Sequence, residues 1–293
     1  MEIGICMPYG FSQQGRRESQ QDCMYPETTS EETPYFVICD GVGGRQNGEI
    51  ASGLVCEAFS RMLDGQFRQG GLMNKSLFEQ ILQYAYSMLY DNRCASKEMA
   101  TTLAFLAISK DGVFVAHIGD SRIYQVRPGN GIVFVTEDHS VVRSLIKEKK
   151  LSEEDAKIHA KRHTITRCIR VLGDNEEYDQ ATVNIIRDVK RGDLFLVCTD
   201  GVYGEITEAE LIEVLSEKVS LDAKTRKLAD MTRHSNDNNT AFLIEVDSVE
   251  DYNGYKGENI SYETTLQHEG LCSASWDIVS KIGKLFSRSF FRK

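Results

Sequence analysis

The sequence has no uninterrupted apolar segment approaching the roughly 18–20 residues of a transmembrane helix. Its first residues, Met1-Glu2-Ile3-Gly4-Ile5-Cys6, carry neither a basic stretch nor a long apolar run, so they do not read as a secretory signal. None of the eight cysteines forms a C-x-x-C; they are scattered singly, and Cys39, Cys56 and Cys198 sit inside apolar runs. That pattern argues against a zinc site or a disulfide framework and for buried, reduced thiols in a cytoplasmic protein. Positive charge is scarce as well: 34 Lys and Arg against 44 Asp and Glu leave a formal charge of −10. A general phosphate-backbone binder needs clustered cations, so nucleic acid is not an expected partner.

What is present is an ordinary soluble composition, 41% hydrophobic and 27% charged over 293 residues, enough to bury a sizeable core. Runs rich in Val, Ile, Phe and Tyr predict strands near 35–39, 101–109, 112–118, 122–126, 131–136, 181–187, 194–199 and 240–246. Helical spacing at Ile50, Leu54, Val55, Ala58, Phe59 and Met62, and again at Leu77, Ile81, Ala85, Met88 and Leu89, predicts a helix pair after the first strand. Further helices are expected at 140–149, 207–217 and 222–233, and Asp111-Gly112 between two apolar runs predicts a hairpin. Successive strands joined by short turns imply antiparallel sheets, with the apolar helix stripes covering sheet faces. The class is α+β rather than a doubly wound βαβ series.

Composition changes after about residue 247. Residues 248–267 are polar and aperiodic, which reads as a linker or disordered tail. Beyond it, Trp276, Val279, Ile282, Leu285, Phe286, Phe290 and Phe291 fall near helical spacing among Lys281, Lys284, Arg288, Arg292 and Lys293. In an acidic protein, 268–293 is a candidate basic amphipathic helix for an anionic membrane surface or an acidic partner groove. The competing readings are a helix packed back on the acidic body, or a disordered tail. The expected division is therefore a domain over 1–247 and a linker plus amphipathic segment over 248–293.

Four acids share one grammar. Asp40 and Asp200 each follow an apolar run and precede glycine; Asp120 lies between two strand candidates; Asp237 lies just before the last strand. Asp22, after a polar segment, is a fifth. Taken singly, each is a turn residue or a helix cap. Several carboxylates gathered in a wet cleft repel one another unless a cation neutralises them, and hard ions such as Mg²⁺ and Mn²⁺ favour carboxylate, carbonyl and water oxygens. Glycine after the acid lets the chain pass close to an ion and turn a carbonyl toward it.

Over about residues 3–247 the chain resembles the metal-dependent protein phosphatases of the PP2C (PPM) family. The matching pieces are Gly15-x-Arg17-x-x-x-x-Asp22, Asp40-Gly41-x-Gly43-Gly44, Gly48-Glu49-x-Ala51-Ser52 and Ala100-Thr101-Thr102-Leu103. They continue with Gly119-Asp120-Ser121-Arg122-x-Tyr124, Thr136-x-Asp138-His139-Ser140, Ile165-Thr166-Arg167, Thr199-Asp200-Gly201 and Asp237-Asn238-x-x-Thr240. Each is short, but their order is the family's, and the Gly43-Gly44 and Gly48-Glu49 details look bacterial. The resemblance implies a four-layer α-β-β-α sandwich, two antiparallel sheets flanked by helix pairs, with two Mn²⁺ or Mg²⁺ ions at one end. It implies that Asp40 bridges both ions and that the Gly41 carbonyl binds one. Asp200 and Asp237 would bind the other, while Asp22 would hold ion-bound waters. Asp120 would join Asp200 around a weaker third ion, and Arg17 would grip the substrate phosphate with its planar guanidinium.

The activity so implied is hydrolysis of phosphoserine and phosphothreonine in proteins by a hydroxide held between two ions, without a phosphoenzyme. The expected enzyme is a monomer that opposes a Ser/Thr kinase. Three positions depart from the family pattern. Val42 stands where many eukaryotic relatives have a histidine proposed to protonate the leaving group. Gln21 replaces the usual acid before Asp22, removing one negative charge near the ions. Gly204 replaces a further acid that helps hold the third ion in some relatives. His117 and His139 are expected to pack or hydrogen bond rather than act as acids. The charged segment from Lys147 to Arg167, with His159 and His163, matches a flap beside the site. Two alternatives are a pseudophosphatase that binds phosphoproteins without turnover, against which retention of every matching acid argues, and a hydrolase of small phosphoesters on the same fold.

Overall fold

Apolar residues that run on or alternate give strands, and apolar residues recurring at three and four give helices. The strands are β1 (Glu2–Ile5), β2 (Tyr9–Gln13), β3 (Asp22–Tyr25), β4 (Tyr35–Asp40), β5 (Ala100–Thr101), β6 (Leu103–Ser109) and β7 (Gly112–Ile118). They continue with β8 (Arg122–Arg127), β9 (Gly131–Val135), β10 (Ile169–Arg170), β11 (Thr182–Ile186), β12 (Leu194–Cys198), β13 (Asn239–Glu250) and β14 (Ile260–Glu263). The helices are α1 (Gly48–Arg68), α2 (Lys75–Asp91), α3 (Val141–Lys147), α4 (Glu153–Ile158), α5 (Asp200–Tyr203), α6 (Glu208–Ser216) and α7 (Leu221–Thr232). This computed structural model describes residues 1–42, 47–68, 73–94, 98–173, 176–250 and 258–266.

Two six-stranded sheets carry the fold. One runs β1-β13-β12-β8-β9 with β2 also on β13, and the other runs β14-β11-β7-β6-β4-β3. All their pairings are antiparallel. Side-chain alternation explains the layering. Phe36 and Ile38 of β4 face the other sheet and pack with Phe195, Val197, Phe242 and Ile244. Tyr35, Val37 and Cys39 of the same strand face the opposite way, into a core shared with α1 and α2. Outside the first sheet, Tyr124, Leu196 and Leu243 pack against Leu211, Val214 and Leu228 of α6 and α7. The layers are therefore helix pair, sheet, sheet, helix pair, the expected α-β-β-α sandwich. β4 is buried from Tyr35 to Cys39 because both of its faces are covered, which is why its sequence is apolar rather than alternating.

Helix starts follow their caps. Asn74 accepts from Leu77 N ahead of α2, and Thr207 and Glu210 form a capping box at α6. The Asp111-Gly112 hairpin joins β6 to β7, with Ser109 opposite Gly112. Two expectations change. The single strand over 101–109 is broken at Thr102 into β5 and β6, because Thr102 turns to bond Asp40. The boundary at 247 falls inside β13, and the linker reading of 248–267 fails at β14, which pairs with β11 from Thr182↔Glu263 to Ile185↔Ile260. Gly43, Gly44 and the amphipathic segment 268–293 lie outside the described residues. Among those described, no helix is long and apolar enough to cross a membrane, and the seven cysteines are free.

Candidate functional site

Asp22 opens β3 and Asp40 closes β4, and the register sets the two directly opposite each other. The Asp40 main chain is clamped. Its N–H donates to Thr102 Oγ1 at 3.1 Å, and its carbonyl accepts from Thr102 N and from Thr101 Oγ1, both at 2.8 Å. Gly41 N donates to the Gln21 carbonyl at 3.1 Å. A Cβ on Gly41 would lie 2.5 Å from the Gly48 carbonyl, so glycine is what allows α1 to begin against the strand end.

The second Asp-Gly works differently. Asp200 is the first residue of α5, immediately after β12, and a Cβ on Gly201 would lie 2.0 Å from the Asn238 carbonyl. The glycine thus admits the 237–239 turn to within contact of α5. Asn238 is buried and ties three segments together. Its Nδ2 donates to the carbonyls of Gln14 at 2.8 Å and Ser19 at 2.9 Å, and its Oδ1 accepts from Gln21 N at 2.9 Å. The Gln21 side chain itself donates to Glu49 at 3.3 Å, away from the acids. Arg17, on the loop so anchored, donates to Asp237 Oδ2 at 2.5 Å.

Asp120 sits on a built platform. Its carbonyl accepts from Tyr203 OH at 2.9 Å, and the Arg122 guanidinium stacks over the Tyr203 ring while bonding Asp138 through two 2.7 Å contacts. His139 braces the preceding glycine: its N–H donates to the Gly119 carbonyl at 2.9 Å and its Nδ1 accepts from Gly119 N at 3.2 Å. That leaves its proton on Nε2, donated to Thr182 Oγ1 at 2.9 Å. Burial holds His139 down to about 2, with the stacked His117 adding to the effect, and burial lowers His117 too. Both are neutral struts, and His117 donates from Nε2 to the Glu137 carbonyl at 2.8 Å.

Asp40, Gly41, Asp120, Asp200 and Asp237 line one cleft of about 540 Å³, together with Arg17, Gln21 and Val42. Asp22 and Asn238 lie behind it, buried. The acids perturb one another. Burial raises Asp40 well above the ordinary carboxylate range, and Asp22, Asp200, Asp120 and Asp237 all add to that. Asp22 is pushed up to about 7, chiefly by burial, against hydrogen bonds from Thr240 and Thr199 that pull it down. Asp120 is pushed up to about 8 by burial and then by Asp200. Asp200 is raised by burial and then by Asp237.

This set fits a hard divalent cation. The donors are all oxygens, and two buried ones, Asp22 Oδ1 and Asp200 Oδ1, have no hydrogen-bond partner among the described residues. No three acidic, imidazole or thiol side chains among the described residues close a shell by themselves. Mg²⁺ and Mn²⁺ sites of the kind expected here keep several waters and use few carboxylates, so an open set is suitable for them.

Some supporting contacts escaped the sequence reading. Thr199 Oγ1 donates to Asp22 Oδ2 at 3.0 Å, a partner that the Thr199-Asp200-Gly201 motif does not name. Tyr203 carries no mark of its own. Arg162 and His163, after α4, line the cleft, as the match of 147–167 to a flap beside the site implies.

Comparisons agree with this geometry. A sequence model described as Protein phosphatase 2C matches residues 9–245. A protein phosphatase 2C-type protein of Streptococcus pyogenes is 31% identical over 238 residues, covering 80% of this chain and 94% of that one. The solved serine/threonine phosphatase PstP/Ppp of Mycobacterium tuberculosis superposes with a TM-score of 0.70 at 24% identity, over 83% of this chain and all of that one. A catalytic domain of PstP holding two manganese ions gives 0.68 at 22% identity, over 84% of this chain and all of that one.

Proposed function

Because the chain belongs to the protein phosphatase 2C family, we propose that it hydrolyses phosphoserine and phosphothreonine in proteins, in a reaction that needs Mn²⁺ or Mg²⁺. The observation that carries this reading is the convergence of Asp40, Asp120, Asp200 and Asp237 on a cleft that also holds the Arg17 guanidinium. When bound, two such ions supply a hydroxide nucleophile at neutral pH and offset charge on the phosphoryl group. Asp40 and the Gly41 carbonyl would hold one ion, with Asp40 shared by the second, which Asp200 and Asp237 complete. Asp22 would orient ion-bound water from behind, and Asp120 with Asp200 would hold a weaker third ion. The two manganese ions in the PstP domain support the choice and number of ions.

The protein's own groups do the rest. Arg17 has five N–H donors, so it can keep its Asp237 bond and still offer a fork to phosphate oxygens. The threonine clamp holds the Asp40 main chain, and so the base of its side chain, in place while charge changes around the carboxylate. Val42 brings no proton to the leaving oxygen, and the two buried imidazoles are neutral and already committed, so none of these acts as the acid. The substrates are phosphoproteins made by a Ser/Thr kinase. Contact with a membrane or an acidic partner through 268–293 would be ruled out by equal membrane association of tagged proteins with and without that segment.

The test of the activity is hydrolysis of a phosphothreonine peptide with Mn²⁺, with a chelator, and by Asp40→Asn. We expect chelator and mutation each to lower kcat/KM at least about 100-fold. Turnover indifferent to the chelator, or unchanged in the mutant, overturns the metal-dependent reading.

A further inference from the structure

A second cleft, of about 780 Å³, opens beside the catalytic one and shares Asp120, Asp200, Arg162 and His163 with it, so the two form one continuous depression. Its walls are α3 and α4 on one side and α5 with the start of α6 on the other. The floor is apolar: Leu196, Val202, Ile206 and Leu211 lie below, and Val142 and Ile146 of α3 flank them. The volume is that of a ligand-sized pocket, within roughly 300–1,000 Å³.

Several charged groups around this floor are already paired within the protein, while Arg162 and His163 stand where it meets the catalytic cleft. Arg143 bonds Glu137 and Glu153, Arg122 bonds Asp138, and Glu205 accepts from Asn236 N. Along the α3 wall a ligand therefore gains little from ion pairing, and what the groove offers there is the apolar surface of Val142 and Ile146. A protein substrate, unlike a small phosphoester, must lay chain away from the phosphorylated residue in some direction. Extended chain advances about 3.3 Å per residue, so side chains two to four positions away reach a cleft that adjoins the catalytic one.

Building on the phosphatase reading, we propose that this groove receives the substrate polypeptide beside the phosphorylated residue and selects for an apolar side chain there. The site that the family motifs describe accounts for cutting the phosphate; the groove accounts for which phosphoproteins are cut. Val142 and Ile146 are its specificity-determining residues, because they are half-buried and belong to a short helix that makes no part of the acid cluster.

The experiment uses the full chain with Mn²⁺ and a set of phosphothreonine peptides. Leucine is scanned, one position at a time, through a Ser/Gly background on both sides of the phosphothreonine, and kcat/KM is taken relative to the all-Ser/Gly parent. We expect leucine at one or two fixed positions to raise kcat/KM about 10-fold or more, the range that one apolar contact can discriminate. Ile146→Asn and Val142→Asn should each reduce that ratio to below about 3-fold. The ratio is formed within each protein, so a general loss of activity or of folded fraction cancels. A flat leucine scan in the unaltered protein, or a preference that both variants retain, overturns the groove's role while leaving the phosphatase reading intact. Absence of Mn²⁺-dependent turnover on every peptide overturns the phosphatase reading, and the groove's role falls with it.

Discussion

Asp22 is a carboxylate kept almost out of water by neutral partners: one oxygen accepts from the Thr199 hydroxyl, and the other is unpaired among the described residues. Groups one step removed from a metal typically tune its affinity 10–100-fold. Thr199→Val should therefore weaken Mn²⁺ binding about 10-fold by calorimetric titration, and Thr199→Ser, which keeps the hydroxyl, should restore it. At this scale the sequence was readable where chemistry left a local mark. An acid after an apolar run and before glycine stands out, as at Asp40 and Asp200. Tyr203 left none, and the motif around Thr199 did not say which residue its hydroxyl serves, because a partner 177 positions away has no signature at that position.

At the scale of elements, the strands that were legible are the covered ones. β4, β6, β7 and β12 are buried nearly throughout, so their apolar runs are unbroken. β2, β3 and β14 are short, part-exposed strands of four or five residues near sheet margins; β2 alternates as Tyr9-Gly10-Phe11-Ser12-Gln13, but with only two large apolar residues the period is too brief to stand out. α5 is a single turn and reads as a loop. The helix layer over β4 and β6 is welded by Phe59, Phe78, Phe105 and Phe114, whose rings lie 5.2–6.1 Å apart in mutual contact. Phe105→Ala removes one of the two rings, with Phe78, that touch all the others, and should cost about 3–5 kcal/mol in urea unfolding. Thr207→Ala, which removes only the capping box of α6, should cost about 1 kcal/mol.

For the whole molecule, the acid cluster makes stability depend on pH in an unusual direction. Carboxyls whose folded pKa values lie above the ordinary 3.8, as Asp22 at about 7 and Asp120 at about 8 do, favour the fold while protonated. Their contribution is fully present below about 3.8 and is lost as pH rises through 7 and 8. With a chelator present, Tm should fall between pH 6 and pH 8.5. Added Mn²⁺ should raise Tm more at pH 8.5 than at pH 6, because fewer protons compete for the same oxygens. Scanning fluorimetry with and without the ion reads both slopes, and a chelated protein that gains stability over this range would contradict the cluster's electrostatics. The return of the chain as β14 has a consequence of a different kind. β11 would otherwise end its sheet with a row of unpaired amides and carbonyls, the template by which one molecule's edge recruits another's. A chain ending at residue 257 keeps β13 whole but uncovers that row, and light scattering should then show self-association that the full chain resists. β14 thereby exchanges the edge of β11, with its Val183, Ile185 and Ile186, for a shorter one that carries Ser261 and ends in the charge of Glu263, a poorer template for a second copy.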